Sequence, residues 1–220
     1  MTIPLVDGVP LDVDDTWRYL REVADFFAVP MPSVAELSSA IAAFRMTVGA
    51  APVAADVTIA TAGGAPQIFV TGAAVRPRRA AVRVTVDDAV PHAHTASDPW
   101  WRRMAARTTS RGDVDQRARW LAGRGFADCV TGGVPHLGAL VFESGGGQLV
   151  GVDNPEPTSI LAQLEQCGAV SGIDRVEAVP TGPQRAWWIS PRYELHPVAE
   201  LDGVRLPFDS TSSAPFGRWA

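Results

Sequence analysis

Apolar positions change spacing several times along the chain. Within 16–27 the residues Trp17, Leu20, Val23, Ala24 and Phe27 fall on one helical stripe, which stops before Pro30 and Pro32. Ser33 followed by Glu36 forms a capping box, and Leu37, Ile41 and Phe44 continue as a core-facing stripe, predicting a second helix. The period then shortens to two. Strands are predicted at 56–61, 67–71 and 82–86, with Gly63-Gly64 turning the first pair. A helix is expected over 112–124, strands at 127–131, 139–143 and 148–152, and a tight turn at Gly145-Gly146-Gly147. Ile160, Leu161 and Leu164 mark a helix near 158–167, and strands return at 174–179, 185–190, 195–201 and 204–207.

The order predicts an α+β protein in two lobes: a small α+β lobe over 1–88, an interdomain linker over 89–111, and a larger mixed lobe over 112–220. The stretch 87–110 is rich in Pro, His, Arg and Trp without a sustained period, as a functional connection would be.

Composition narrows the function classes. With 220 residues, 46% hydrophobic and 20% charged, a folded core is expected rather than disorder. No run is long and apolar enough for a membrane helix, and Met1-Thr2-Ile3-Pro4 lacks a leader pattern, so a cytoplasmic location is expected. A net charge of −5 gives no electrostatic reason to bind nucleic acid or a membrane surface. Cys129 and Cys167 are expected as reduced thiols. All 19 Lys+Arg residues are arginine. The chain therefore has no side-chain amine for a Schiff base, and a guanidinium, protonated at working pH, cannot replace one.

Several segments together resemble the fold-type IV pyridoxal-phosphate (PLP) enzymes, the class IV aminotransferases: branched-chain and D-amino-acid aminotransferases and aminodeoxychorismate lyase. Residues 17–32 look like the family's His-Leu-x-Arg-Leu helix and its apolar-Pro-x-Pro turn. Arg107-Thr108-Thr109-Ser110-Arg111 resembles the Lys-Thr-Thr-Asn-Arg segment, and Gly125-Phe126-Ala127-Asp128 the Gly-x-Asp-Glu start of a strand. Residues 134–142 match the position of Glu-Gly-Thr-x-Ser-Asn-x-Phe, and Pro197-Val198-Ala199-Glu200-Leu201-Asp202-Gly203 is similar to Pro-Val-x-x-Ile-Asp-Gly. The resemblance implies a two-lobed fold whose larger lobe is barrel-like. It is N-terminally shortened, since the family's first strands have no counterpart before Thr16.

The departures fall on positions the cofactor uses. Arg107 stands at the catalytic lysine, Tyr19 at the phosphate-binding arginine with Thr16 before it, and Pro135, or His136 with a shifted gap, at the glutamate that binds the pyridine nitrogen. Gly138, Ala139, Leu140, Ile189 and Pro191 replace small hydroxyl residues around the phosphate, leaving Ser190. On this reading no PLP is expected and the family's activity is lost.

Other chemistry in the same fold draws on the remaining candidates. His136 and Arg107 are the candidate catalytic residues, with Asp153 or Cys129 as possible neighbours of His136 and a structural histidine as its bland alternative. Arg102, Arg103, Arg107 and Arg111 form a cluster suited to capturing a carboxylate or phosphate, or else a solvated basic face. Arg102, Arg111, Tyr19, Trp101 and Ser190 are the candidate substrate-binding residues, with Trp100-Trp101 stacking on a ligand or packing between lobes or subunits. Trp187-Trp188 should send one ring to the core and the other to a cleft or interface. His92, His94 and Asp98 are metal-ligand candidates, though exposed loop histidines fit the pattern as well. Two readings follow: a protein that binds or converts a small carboxylated, amino-acid-derived metabolite without PLP, or a non-catalytic pseudoenzyme partnering a homologous subunit or a second copy of itself.

Overall fold

The structure, a computed structural model, describes residues 1–9, 11–76, 80–86, 104–109, 112–144, 146–154, 158–183 and 185–208. These divide into two compact units, one within 1–75 and 93–111, the other within 76–92 and 112–220.

Among the described residues the first unit is a three-stranded antiparallel sheet with two helices and a further helical turn at 104–106. In chain order it has β1 (Thr2–Leu5), α1 (Val13–Phe26), α2 (Val34–Val48), β2 (Val53–Ala62) and β3 (Ala65–Ala74), with sheet order β1-β2-β3. α1 starts earlier than its stripe suggests because Asp12 caps it, accepting from the Asp14 and Asp15 backbone N–H groups at 3.0 and 3.4 Å. The α2 capping box forms as its residues dictate: Ser33 Oγ accepts from Glu36 N–H at 3.2 Å, and the Glu36 carboxylate accepts from Ser33 N–H at 2.8 Å. The Ser33 N–H first, and the Ser33 hydroxyl, which donates to the same carboxylate at 2.7 Å, second, hold the Glu36 carboxyl below its usual range. The Trp17 indole donates to Pro32 O at 2.8 Å, tying the proline turn back onto α1. Leu20, Leu37 and Ile41 meet Ile3, Leu5, Val53, Ala55 and Val57 in one core.

Two details differ from the sequence reading. A strand, β1, lies ahead of α1 and pairs with β2 from Thr2↔Asp56 to Leu5↔Val53, where no strand was expected. Its four residues are too few to show an alternating pattern, and three are buried. Phe27, placed on the α1 stripe, is 37% exposed because the chain leaves the helix there.

The second unit is an open mixed sheet carrying two helices. It contains β4 (Val82–Val86), α3 (Gly112–Ala122), β5 (Asp128–Thr131), β6 (Val134–Pro135), β7 (Ala139–Glu143), β8 (Leu149–Val152), α4 (Ile160–Gln166), β9 (Ile173–Arg175), β10 (Arg185–Ile189), β11 (Leu195–Leu201) and β12 (Val204–Arg205). The strand order is β6-β5-β4-β11-β10-β7-β8-β9, with β12 on β11. β4, read along the chain with the first strands, instead pairs in parallel with β5 and β11. Val84, Leu140, Phe142, Val152, Trp188 and Val198 belong to one buried cluster. Leu121 of α3 packs on Cys129 of β5, with Trp120, Phe126 and Leu137 around them.

The whole is α+β, as expected. Among the described residues no helix is long and apolar enough to cross a membrane.

Candidate functional site

In the first unit, Arg107 follows a helical turn over 104–106, with its N–H bonded to Met104 O at 3.1 Å. Its side chain is 5% exposed, and Nη1 lies 2.5 Å from a Glu22 carboxylate oxygen. The guanidinium carbon sits 4.1 Å from the centroid of the Tyr19 ring. Tyr19 and Glu22 are three residues apart on α1, so one helix face presents the aromatic ring and the carboxylate to one cation. Such pairing is what makes a nearly buried guanidinium tolerable. Two sequence candidates, Arg107 and Tyr19, thus meet directly, beside Glu22, which the sequence reading missed. Glu22 lies 85 residues from Arg107, and nothing local marks it.

In the second unit, Asp128 opens β5 and is completely buried. Its Oδ1 accepts from the N–H groups of Cys129 (2.7 Å), His136 (3.1 Å) and Leu137 (2.9 Å). Its Oδ2 accepts from Leu137 (3.2 Å), Gly138 (2.7 Å) and the Trp188 indole (2.8 Å). The successive amides of 136–138 therefore wrap one carboxylate, a nest that favours negative charge. Burial pushes the Asp128 carboxyl up, while the indole and backbone donors pull it back. Gly138 fits here only without a side chain: a Cβ would lie 2.3 Å from Ile189 O and 2.5 Å from the Trp188 indole nitrogen.

His136, fixed by this loop, has Arg117 Nη1 of α3 at 2.9 Å from its Nδ1 and 3.1 Å from its Nε2. Because a guanidinium only donates, the ring must turn a lone pair toward it. Ser190 is 6% exposed and shapes the β10–β11 turn, its Oγ accepting from the Arg192 and Glu194 N–H groups at 3.2 and 3.1 Å. Asp153 accepts from Asn154 and Leu161 N–H, each at 2.7 Å, and burial raises its carboxyl to about 6 against those bonds. Cys129 and Cys167 are buried and in no disulfide, and burial pushes the Cys167 thiol up.

Trp187 and Trp188 are both buried, at 3% and 8% exposure, correcting the expectation that one ring faces a cleft or interface. The Asp128 bond and a tilted contact with His196 at 5.4 Å hold the second ring inside. The sequence reading noticed Asp128 only as part of a motif and missed Arg117; an acidic residue beginning an apolar strand was the available signal for the former. Arg102, Arg103, Arg111, Trp100, Trp101, His92, His94 and Asp98 lie outside the described residues. Among the described residues no group of three or more His, Cys, Asp or Glu could hold a metal ion.

No protein-family model and no curated protein matches the chain. Solved structures do. A hypothetical aminotransferase from Mycobacterium tuberculosis in its apo form is 22% identical, with a TM-score of 0.64 over 94% of this chain and 81% of that one. The fold IV-transaminase from Curtobacterium pusillum is 18% identical, with a TM-score of 0.59 over 95% and 78%. The branched-chain aminotransferase from Thermoproteus uzoniensis, solved with norvaline, is 14% identical, with a TM-score of 0.60 over 94% and 78%.

The Mycobacterium tuberculosis protein has also been solved in a PLP-bound form and in an alpha-ketoglutarate and PMP bound form. PLP thus goes with this fold, and the expectation that no PLP is associated with this chain is corrected on that finding. The residues present do not fit a covalently held cofactor: the position that resembles the catalytic lysine is Arg107, its guanidinium lies against Glu22 and Tyr19, and no lysine exists elsewhere. The chain has the fold of the fold-type IV aminotransferases.

Proposed function

We propose that this chain is a class IV aminotransferase-like protein that carries out no side-chain imine catalysis and binds a small carboxylated, amino-acid-derived metabolite. The observation that carries the first part is Arg107. It occupies the place where the resemblance puts the imine-forming lysine, and its charge is matched inside the unit by Glu22 and Tyr19. A guanidinium has no nucleophilic lone pair at working pH, so bond formation to an aldehyde at this position is closed. The second part is supported by chemistry: an arginine-only set of cations is suited to two-point capture of carboxylates, and a solved protein of this fold binds alpha-ketoglutarate.

The test is calorimetric titration with alpha-ketoglutarate, with and without PLP, beside the visible spectrum of the PLP titration. Borohydride reduction and peptide mapping follow. Saturable binding of the keto acid and no cofactor adduct on any side chain are expected. A side-chain adduct, or amino-group exchange by the homogeneous protein, would sink the first part; failure of small carboxylates to bind would sink the second.

A non-catalytic partner subunit is the second reading, favoured by the internal neutralisation of Arg107. It expects no keto-acid binding and a gain in activity when the chain is co-expressed with a lysine-bearing aminotransferase of the same fold.

A further inference from the structure

The pair formed by Arg107 and Glu22 inside the first unit is asymmetric. The Arg107 side chain is nearly buried, whereas Glu22 is 40% exposed, so the carboxylate is the partner that faces water. Other contacts also place the guanidinium. The Arg107 N–H donates to Met104 O at 3.1 Å, the Thr108 N–H and hydroxyl donate to Ala105 O at 3.0 and 2.8 Å, and Met104 is completely buried, which anchors the turn that carries the side chain. The Tyr19 ring, 4.1 Å from the guanidinium carbon, packs against the core that contains Leu20, Leu37 and Ile41. The cation and its aromatic wall therefore keep their positions if the carboxylate swings away.

Separation costs the two partners differently. Glu22 would regain hydration and rotamer freedom, and Arg18, one turn earlier on α1, offers it an i,i+4 partner on the helix surface. The guanidinium is nearly buried and permanently charged, and losing its anion leaves a costly uncompensated charge. The position therefore exchanges one anion for another, and an uncharged molecule is no substitute for Glu22. A carboxylate suits the exchange best, because it reproduces the group already there and can take two parallel N–H donors from the planar fork.

We propose, resting on the metabolite-binding reading, that Arg107 is the anchor for the carboxylate of the small-molecule ligand and that Glu22 is its internal competitor, which the ligand displaces. Tyr19 holds the plane of the guanidinium through the exchange. Only the fraction of molecules with Glu22 swung out accepts the ligand, so the contact lowers the apparent affinity and acts as an autoinhibitory latch.

Calorimetric titration of the full chain with alpha-ketoglutarate, and with its uncharged dimethyl ester, tests the assignment in the wild type, Glu22→Gln and Arg107→Gln, with circular dichroism to check that each variant is folded. Glu22→Gln keeps an acceptor for the guanidinium but competes without charge, and it should bind the keto acid at least about tenfold more tightly than the wild type. Arg107→Gln should lose that binding, and the ester should bind none of the three. NMR of the wild type supplies a variant-free reading: the Glu22 carboxyl carbon signal should move in step with saturation. Glu22→Gln binding no tighter than the wild type, Arg107→Gln binding as well as the wild type, ester binding equal to that of the acid, or a Glu22 signal unmoved at saturation would each overturn the assignment, while keto-acid binding by the wild type keeps the metabolite reading intact. Absence of keto-acid binding by both the wild type and Glu22→Gln would overturn both.

Discussion

The guanidinium of Arg107 lies over Tyr19 with its carbon 4.1 Å from the ring centroid, while Nη1 reaches Glu22 at 2.5 Å. By resemblance these are the positions of the imine-forming lysine and of the arginine that holds the cofactor phosphate, and here they contact each other. A cation over a desolvated ring contributes on the order of 1–2 kcal/mol. Because Glu22 is 40% exposed, its charge pair adds less than a buried one would. In urea unfolding, Tyr19→Leu and Arg107→Gln should each destabilise, and the double-mutant cycle should return a coupling of about 1 kcal/mol. Additive losses would show that the stacking contributes nothing.

Among the described residues Asp128 is bonded by five N–H donors and by no acceptor. Asp128→Asn keeps the shape but points an amide NH2 at donors that cannot accept. A loss of about 3 kcal/mol or more is expected from one buried mismatch inside a shared network. Because the amides of 136–138 hang on this carboxylate, the variant should also release His136 from Arg117, seen as a changed imidazole NMR signal. Unchanged stability with an unchanged His136 signal would contradict this role.

What the sequence made legible was mostly local. Ser33 and Glu36 are three residues apart, so their capping box could be read directly, as could the helices and the Gly63-Gly64 hairpin. β4 carried a clear two-residue period, but its neighbours β5 and β11 are distant in sequence, and no pattern within Val82–Val86 names them. Asp128 read as a motif position; its burial depends on Trp188, 60 residues away, whose indole was expected to have an even chance of facing outward. Tyr19 and Arg107 were singled out by resemblance, yet neither their mutual contact nor the carboxylate of Glu22 beside them is marked by it. Residue types were legible, and long-range pairings were not.

Gly138 separates packing from backbone freedom. Its φ is not in the left-handed region, so an alanine there carries no backbone strain, only contact. A Cβ at 2.3 Å from Ile189 O and 2.5 Å from the Trp188 nitrogen must push the loop off β10 and lengthen the Asp128–Trp188 bond. Gly138→Ala should therefore cost about 1–3 kcal/mol, as overpacking of a core does, and shift the tryptophan fluorescence. Gly112→Ala, where a Cβ meets nothing within 4 Å, serves as the control and should leave stability within about 0.5 kcal/mol.

Asp153 fixes the sign of one pH effect. Burial raises its folded carboxyl from 3.8 to about 6 against hydrogen bonds from Leu161, Asn154 and Ser159 and the charge of Arg175. Between those values the folded chain binds the proton and the unfolded chain does not, so this group's contribution to stability falls as pH rises. A separation of roughly two pH units corresponds to about 3 kcal/mol, fully expressed only above the folded value. Asp153→Asn removes the titration. The stability difference, wild type minus variant, should fall by that order between about pH 3.5 and 7 and be flat on either side, measured by urea unfolding at each pH. Direct titration of the Asp153 carboxyl carbon by NMR should give a midpoint near 6; a midpoint at or below about 4, the ordinary carboxylate range, or a difference that rises with pH, would show that the backbone donors outweigh the loss of water.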